Sequence, residues 1–160
     1  MTPHSLSAPL AISEATADDR PWCARLMATS EPWIRLGRGY GACLAVVQPQ
    51  PDTEVFVARQ GGTPVGFVVL RPRGVAGSPY LASIAVDPGA RGRGVGSALL
   101  AFVEERFRPA YRHLFLCVSS FNDGARRLYE REGFHQVGEF PDYVIDGASE
   151  ILMHKRLDRP

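Results

Sequence analysis

The densest chemistry in the chain sits in one loop, Asp87-Pro88-Gly89-Ala90-Arg91-Gly92-Arg93-Gly94-Val95-Gly96-Ser97. Glycines at 92, 94 and 96 allow tight turns and close approach of backbone to a ligand. An apolar run, Tyr80 to Val86, precedes the loop. A helical period follows it, with Val95, Ala98, Leu99, Phe102 and Val103 on one face. The loop therefore presents the start of a helix, whose unpaired N–H groups carry partial positive charge. Arg91 and Arg93 add two full charges. Glycine backbone, helix start and guanidinium together suit a pyrophosphate.

Three ligand classes use such cradles. A nucleotide P-loop requires GxxxxGK followed by Ser or Thr, and no lysine stands here. A dinucleotide site requires GxGxxG and an acidic residue at the end of the next strand. Position 97 is Ser97, and the next strand ends in Cys117-Val118-Ser119-Ser120, with no acid. The third class is coenzyme A. The spacing Arg91-x-x-Gly94-x-Gly96, within LASIAVDPGARGRGVGSALL (81–100), resembles the GNAT superfamily of N-acetyltransferases. A second block, SSFNDGARRLYEREGF (119–134), resembles the same family at the expected separation, and the likeness extends over residues 10–156. The closing YVIDGASEILMHKRL (143–157) is similar to the branch that acetylates protein N-termini, the ribosomal-protein-alanine N-acetyltransferases.

The resemblance implies an acetyl-CoA-dependent N-acetyltransferase in which a primary amine attacks the thioester directly in a ternary complex. It implies that backbone at Ile84, Ala85 and Val86 lies along the pantetheine. It places Arg91, Gly92, Arg93, Gly94, Val95, Gly96 and Ser97 at the pyrophosphate, and Asn122, Ala125 and Tyr129 near the pantetheine and sulfur. Tyr129 is then the expected general acid, since a phenol of pKa about 10 can protonate a thiolate of pKa about 8.5. By helix period alone Tyr129 would be a core residue beside Leu128. Relatives that act on N-termini carry a glutamate base at the place occupied here by Cys117; Glu54, Asp142 and Ser83 are the other candidates for that part. The acceptor is expected over the sulfur, near Trp33, Tyr40, Asp142 and Tyr143, with Glu31, Arg35 and Phe140 close by. It is a small-molecule amine or a protein N-terminus. The rival from another class is a non-catalytic acyl-CoA-binding sensor module.

The elements that must position these residues follow from period and punctuation. Short strands are expected at Leu10–Glu14, Glu54–Arg59, Pro64–Leu70, Tyr80–Val86, His113–Val118, Phe134–Glu139 and Glu150–Lys155. Helices are expected from Asp18 to about Thr29, from Arg38 to Val47, from Val95 to Phe107 and from Asp123 to Glu132, with Gly133 as a stop. This order predicts a mixed α/β (α+β) fold: a mostly antiparallel sheet of about seven strands flanked by about four helices, its central strands splayed as in the GNAT family. Residues 1–9 read as a flexible tail and 10–157 as one acyltransferase domain.

At 160 residues the chain can bury a core without disulfide or metal staples. Cys23, Cys43 and Cys117 show no zinc-ligand spacing, so no metal is expected. A formal net charge of +1 gives no field that would gather nucleic acid or an anionic membrane, and neither partner is expected. The N-terminal residues lack the apolar core of a secretory signal, which predicts a cytoplasmic protein. Homodimers occur in the family, so a homodimer is a further expectation of the resemblance. The loop reading has a direct check. Acetyl-CoA or CoA in large excess should raise the thermal midpoint by about 5 °C or more, and NADH and ATP should not; a larger shift with NADH or ATP would mean that the cradle has been misread.

Overall fold

The computed structural model describes residues 8–158, so most of the expected tail lies outside the described residues. In chain order the elements are β1 (Leu10–Glu14), α1 (Asp19–Ala28), α2 (Tyr40–Val47), β2 (Glu54–Gln60), β3 (Thr63–Val75), β4 (Ser78–Val86), a 3-10 turn (Pro88–Ala90), α3 (Val95–Phe107), β5 (His113–Ser119), α4 (Asp123–Arg131), β6 (His135–Pro141) and β7 (Ser149–Arg156). Seven strands form one sheet in the order β1-β2-β3-β4-β5-β7-β6. Every neighbouring pair is antiparallel except β4 with β5. The mixed, mostly antiparallel architecture expected from the sequence is the one found.

Alternation along the strands divides the core between the two faces. Phe56, Ala58, Val68, Leu70 and Leu81 join Leu99, Leu100, Val103 and Tyr129 under α3 and α4. Val55, Val57, Phe67 and Val69 join Cys23, Met27, Cys43 and Val47 under α1 and α2. Period-2 strands buried on both faces force this three-layer arrangement, because each face needs its own helical cover. The β2–β3 hairpin turns on Gly61 and Gly62, both left-handed at φ +58° and +80°, as a two-residue turn between twisted strands requires.

Strand β3 is longer than the sequence suggests. The sequence predicts a strand over Pro64–Leu70 alone. The strand instead continues to Val75 through an irregularity in which β3 carries two more residues than β4, from Arg71 opposite Tyr80 to Val75 opposite Ser78. That detour accommodates Pro72, which has no amide to give to a ladder. The second helix starts at Tyr40 rather than Arg38, with Gly39 as the residue before it.

Gly66 sets how closely α3 lies on the sheet. A Cβ there would stand 2.9 Å from the Ala85 carbonyl oxygen, 3.1 Å from Leu99 and 3.3 Å from Val95. Neither the β4 backbone nor the first turns of α3 can retreat without moving the glycine loop. Gly66→Ala should therefore destabilise the fold by about 1–3 kcal/mol, seen as a lower urea midpoint at unchanged slope; an unchanged midpoint would show that α3 is not seated through this contact.

Candidate active site

A break in the sheet creates the site. Strand β4 pairs with β5 only at Tyr80 with Phe115 and Leu81 with Leu116. Immediately afterwards β4 bulges: Leu70 faces Leu81 while Val69 faces Ser83, leaving Ala82 as the extra residue. A bulge bends its strand and increases the local twist. Strand β5 meanwhile stays with β7 along its whole length, from His113 opposite Arg156 to Ser119 opposite Glu150. The two strands diverge, and the β5-facing backbone edge of Ala82–Val86 has no strand partner. The bulge also reverses the alternation. Leu81, Ile84 and Val86 face α3 and α4, whereas Ala82 and Ala85 pack with the α1–α2 core.

The gap opens into a cleft of about 950 Å³ that passes from one face of the sheet to the other, a size suited to an extended organic ligand. On the α3 side it is lined by Arg91, Gly92, Gly94, Val95, Gly96 and Ser97. Gly94 precedes α3 in the left-handed conformation at φ +81°, and Gly92 is left-handed at φ +75°. No side chain caps α3, whose first hydrogen bond runs from the Ala98 amide to the Gly94 carbonyl at 3.0 Å. The amides ahead of it point out of the helix end. Gly96 has a different reason to be glycine: a Cβ there would meet Leu128 at 3.1 Å, so its absence lets α3 pack on α4. Arg91 folds back and donates from Nε to the Val86 carbonyl at 3.2 Å. Arg93 is exposed and its side chain lies off the cleft wall.

Helix α4 forms the opposite lip. Asn122 precedes it, and its Oδ1 accepts from the Ala125 amide at 3.4 Å, which leaves the side-chain amide nitrogen for the cleft. Tyr129 reaches the cleft from inside the core, its ring edge-on to Phe134 at 6.1 Å between centroids. Burial alone pushes its phenol well above the ordinary tyrosine value.

The face toward α1 and α2 carries a second set of groups. Cys117 and Ser119 on β5 lie opposite Leu152 and Glu150 on β7, and register places all four on one face. The Ser119 hydroxyl donates to Glu150 Oε1 at 2.6 Å. Tyr80 lies beside Cys117, and burial raises both the phenol and the thiol above their usual ranges. Ser83 lines the cleft nearby. Trp33 is buried under α1 and α2 and lines the cleft, and Tyr143, its ring tilted against Phe140 at 5.3 Å between centroids, forms part of its rim.

The remaining expected residues stand elsewhere. Tyr40 opens α2 in an exposed position away from the cleft wall. Asp142 is left-handed at φ +52°, and its Oδ1 accepts from the Gly147 amide at 2.7 Å, so its carboxylate shapes the β6–β7 turn. Glu54 is paired bidentately with Arg106, at 3.0 Å and 2.5 Å, outside the cleft. Neither carboxylate is placed to serve as a base. Tyr80, Ser119 and Glu150 were not singled out by sequence reasoning. The alternation of His113–Ser119 offered a signal for Ser119, but the neighbour of Glu150 is set only by the β5–β7 register.

Residues 16–134 match the acetyltransferase (GNAT) family. The chain belongs to the acetyltransferase (GNAT) family. It is 31% identical over 155 residues to the N-alpha-acetyltransferase RimI of Mycobacterium tuberculosis, with 92% of each chain covered. The fold is also that of the Escherichia coli ribosomal-protein-S18-alanine N-acetyltransferase, at TM-score 0.76, 23% identity and coverage of 95% of this chain and 96% of that one. An aminoglycoside 6'-N-acetyltransferase solved with coenzyme A superimposes at TM-score 0.74 and 16% identity, over 94% of this chain and 99% of that one. This GNAT chain is accordingly an N-acetyltransferase that uses acetyl-CoA.

Among the described residues no helix is long and apolar enough to cross a membrane, and no cluster of His, Cys, Asp and Glu could hold a metal. Cys117 stands where a base was expected, and its raised thiol pKa leaves little thiolate at neutral pH. Cys117→Ala should keep most of the acetyl-transfer rate; complete loss in a folded variant would point to a covalent acyl-cysteine route.

Proposed function

We propose that this enzyme acetylates a primary amine by direct attack within a ternary complex, with Tyr129 as the general acid. The observation that carries the reading is the gap between β4 and β5, which has the glycine loop on one face of the sheet and an open polar wall on the other. A single opening through the sheet lets donor and acceptor meet from opposite faces without an enzyme-bound acyl group.

The residues present fit coenzyme A. The left-handed Gly92 and Gly94 and the uncapped amides at Val95, Gly96 and Ser97 would hold the pyrophosphate, with Arg91 beside them. The free edge of Ala82–Val86, including the backbone of Ile84, Ala85 and Val86, would hold the pantetheine as an added strand. The Asn122 amide nitrogen and the small Ala125 would flank it. When bound, acetyl-CoA supplies an acetyl thioester. A backbone N–H near Ala85 or Val86 is suited to stabilise developing charge on the carbonyl oxygen.

Tyr129 holds a proton at its hydroxyl for the leaving sulfur. Because burial disfavours the phenolate, that proton has to be replaced as it leaves, and the attacking nitrogen has one to give. The acceptor approaches from the α1–α2 face, past Trp33, Phe140 and Tyr143. The likeness to RimI supports an α-amine as its reacting group, and an α-amine of pKa about 8 is already partly neutral at physiological pH.

Tyr129→Phe removes the proton and keeps the ring. It should lower kcat by about a hundredfold or more while the acetyl-CoA thermal shift persists. The wild-type rate should show no alkaline fall from this phenol below about pH 10, because burial moves its pKa upward from that value. A Phe variant with wild-type kcat would remove Tyr129 from the mechanism.

A further inference from the structure

Among the described residues Glu150, on β7, is the one carboxylate set into the cleft wall that β5 and β7 form. It is half-buried, whereas the other acidic residue of the lining, Glu31, is exposed at the rim, where it accepts from the Arg35 amide at 3.1 Å. Ser119, itself buried, fixes one oxygen of Glu150 at 2.6 Å. Among the described residues no lysine, arginine or histidine forms an ion pair with it. Its neighbours across the wall are the Tyr80 phenol and the Cys117 thiol, both held in their neutral forms by burial. A half-buried carboxylate that is oriented by one hydrogen bond and belongs to no ion pair can receive a cation that enters the cleft.

Its position says which cation. Glu150 lies on the face toward α1 and α2, opposite the α3 glycine loop and two register positions from Cys117. Trp33, Phe140 and Tyr143 give the same side of the cleft an apolar rim. We infer that Glu150, oriented by Ser119, receives the ammonium group of the acceptor and takes its first proton, and that the acceptor carries this ammonium on an apolar frame. This rests on the transferase reading for the reaction that follows. The ammonium gives one proton to Glu150, which passes it to water. The neutral nitrogen then forms the C–N bond as the C–S bond breaks, and its second proton reaches sulfur by way of Tyr129. One proton remains on the amide.

The site can be tested by binding alone. Calorimetry on the full chain saturated with CoA, at about pH 6.5 so that most of an α-amine is protonated, would compare phenylalaninamide with 3-phenylpropanamide, the same frame without the amine. Wild type should bind the amine more tightly. Glu150→Gln should weaken the amine about tenfold or more and leave the neutral amide unchanged. Acetyl transfer to phenylalaninamide should fall in the same variant, while its acetyl-CoA thermal shift persists and reports that it is folded. Equal affinity of wild type and Glu150→Gln for the amine would overturn the inference, as would a wild type that does not prefer the amine to the neutral frame. A wild type that shows the amine preference but no response to acetyl-CoA would instead overturn the transferase reading and leave the ammonium site standing.

Discussion

Only two register pairs join β4 to β5, Tyr80 with Phe115 and Leu81 with Leu116, and they hold the two halves of the sheet together at its centre. The cleft depends on the ladder stopping there. A longer parallel ladder would close the gap and satisfy the backbone edge that the donor is proposed to use. A shorter one would leave β1–β4 and β5–β7 connected chiefly through the helices. The bulge at Ala82 enforces the stop, because it turns the strand away and changes which side chains face which layer.

That parity change distributes the chemistry. Ile84 and Val86 turn toward α3 and α4, where the glycine loop and Tyr129 lie, while Ala85 packs toward α1 and α2. The antiparallel β5–β7 pairing places Cys117, Ser119 and Glu150 on that second face. One face of the opening is thus rich in uncapped amides and glycine, suited to a phosphate anion. The other carries the Glu150 carboxylate and aromatic side chains, and Arg38 and Arg71 also line the cleft.

Much of this was legible in the residues. Val95–Phe107 declared its helix through a long unbroken period, and Gly61–Gly62 declared a hairpin through turn chemistry. Arg91, Gly94 and Gly96 marked the candidate ligand loop by composition, although Gly96 serves the packing of α3 on Leu128 rather than the turn itself. Asp142 and Tyr40 are expected at the acceptor from the place the family resemblance gives it. An aspartate in a turn is as readily consumed by a nearby amide, here that of Gly147, and no local pattern distinguishes the two fates. Strand β3 runs past the expected Leu70 because an irregular pairing with β4 absorbs Pro72.

The sequence by itself determined the identity and order of the elements and the glycine loop, and through its resemblance to the GNAT family the cofactor, because these rest on local period, turn geometry and short contiguous motifs. Only the tertiary structure decided where the sheet opens, that Glu54 is spent on Arg106, and that Glu150 stands beside Ser119 in the cleft. The Glu54–Arg106 pair depends on how α3 lies over β2, and the opening and the Ser119–Glu150 pair depend on strand register between segments some thirty or more residues apart, as with Ser119 and Glu150. A shift of one residue in the β5–β7 pairing would move Glu150 to the opposite face of the sheet from Ser119.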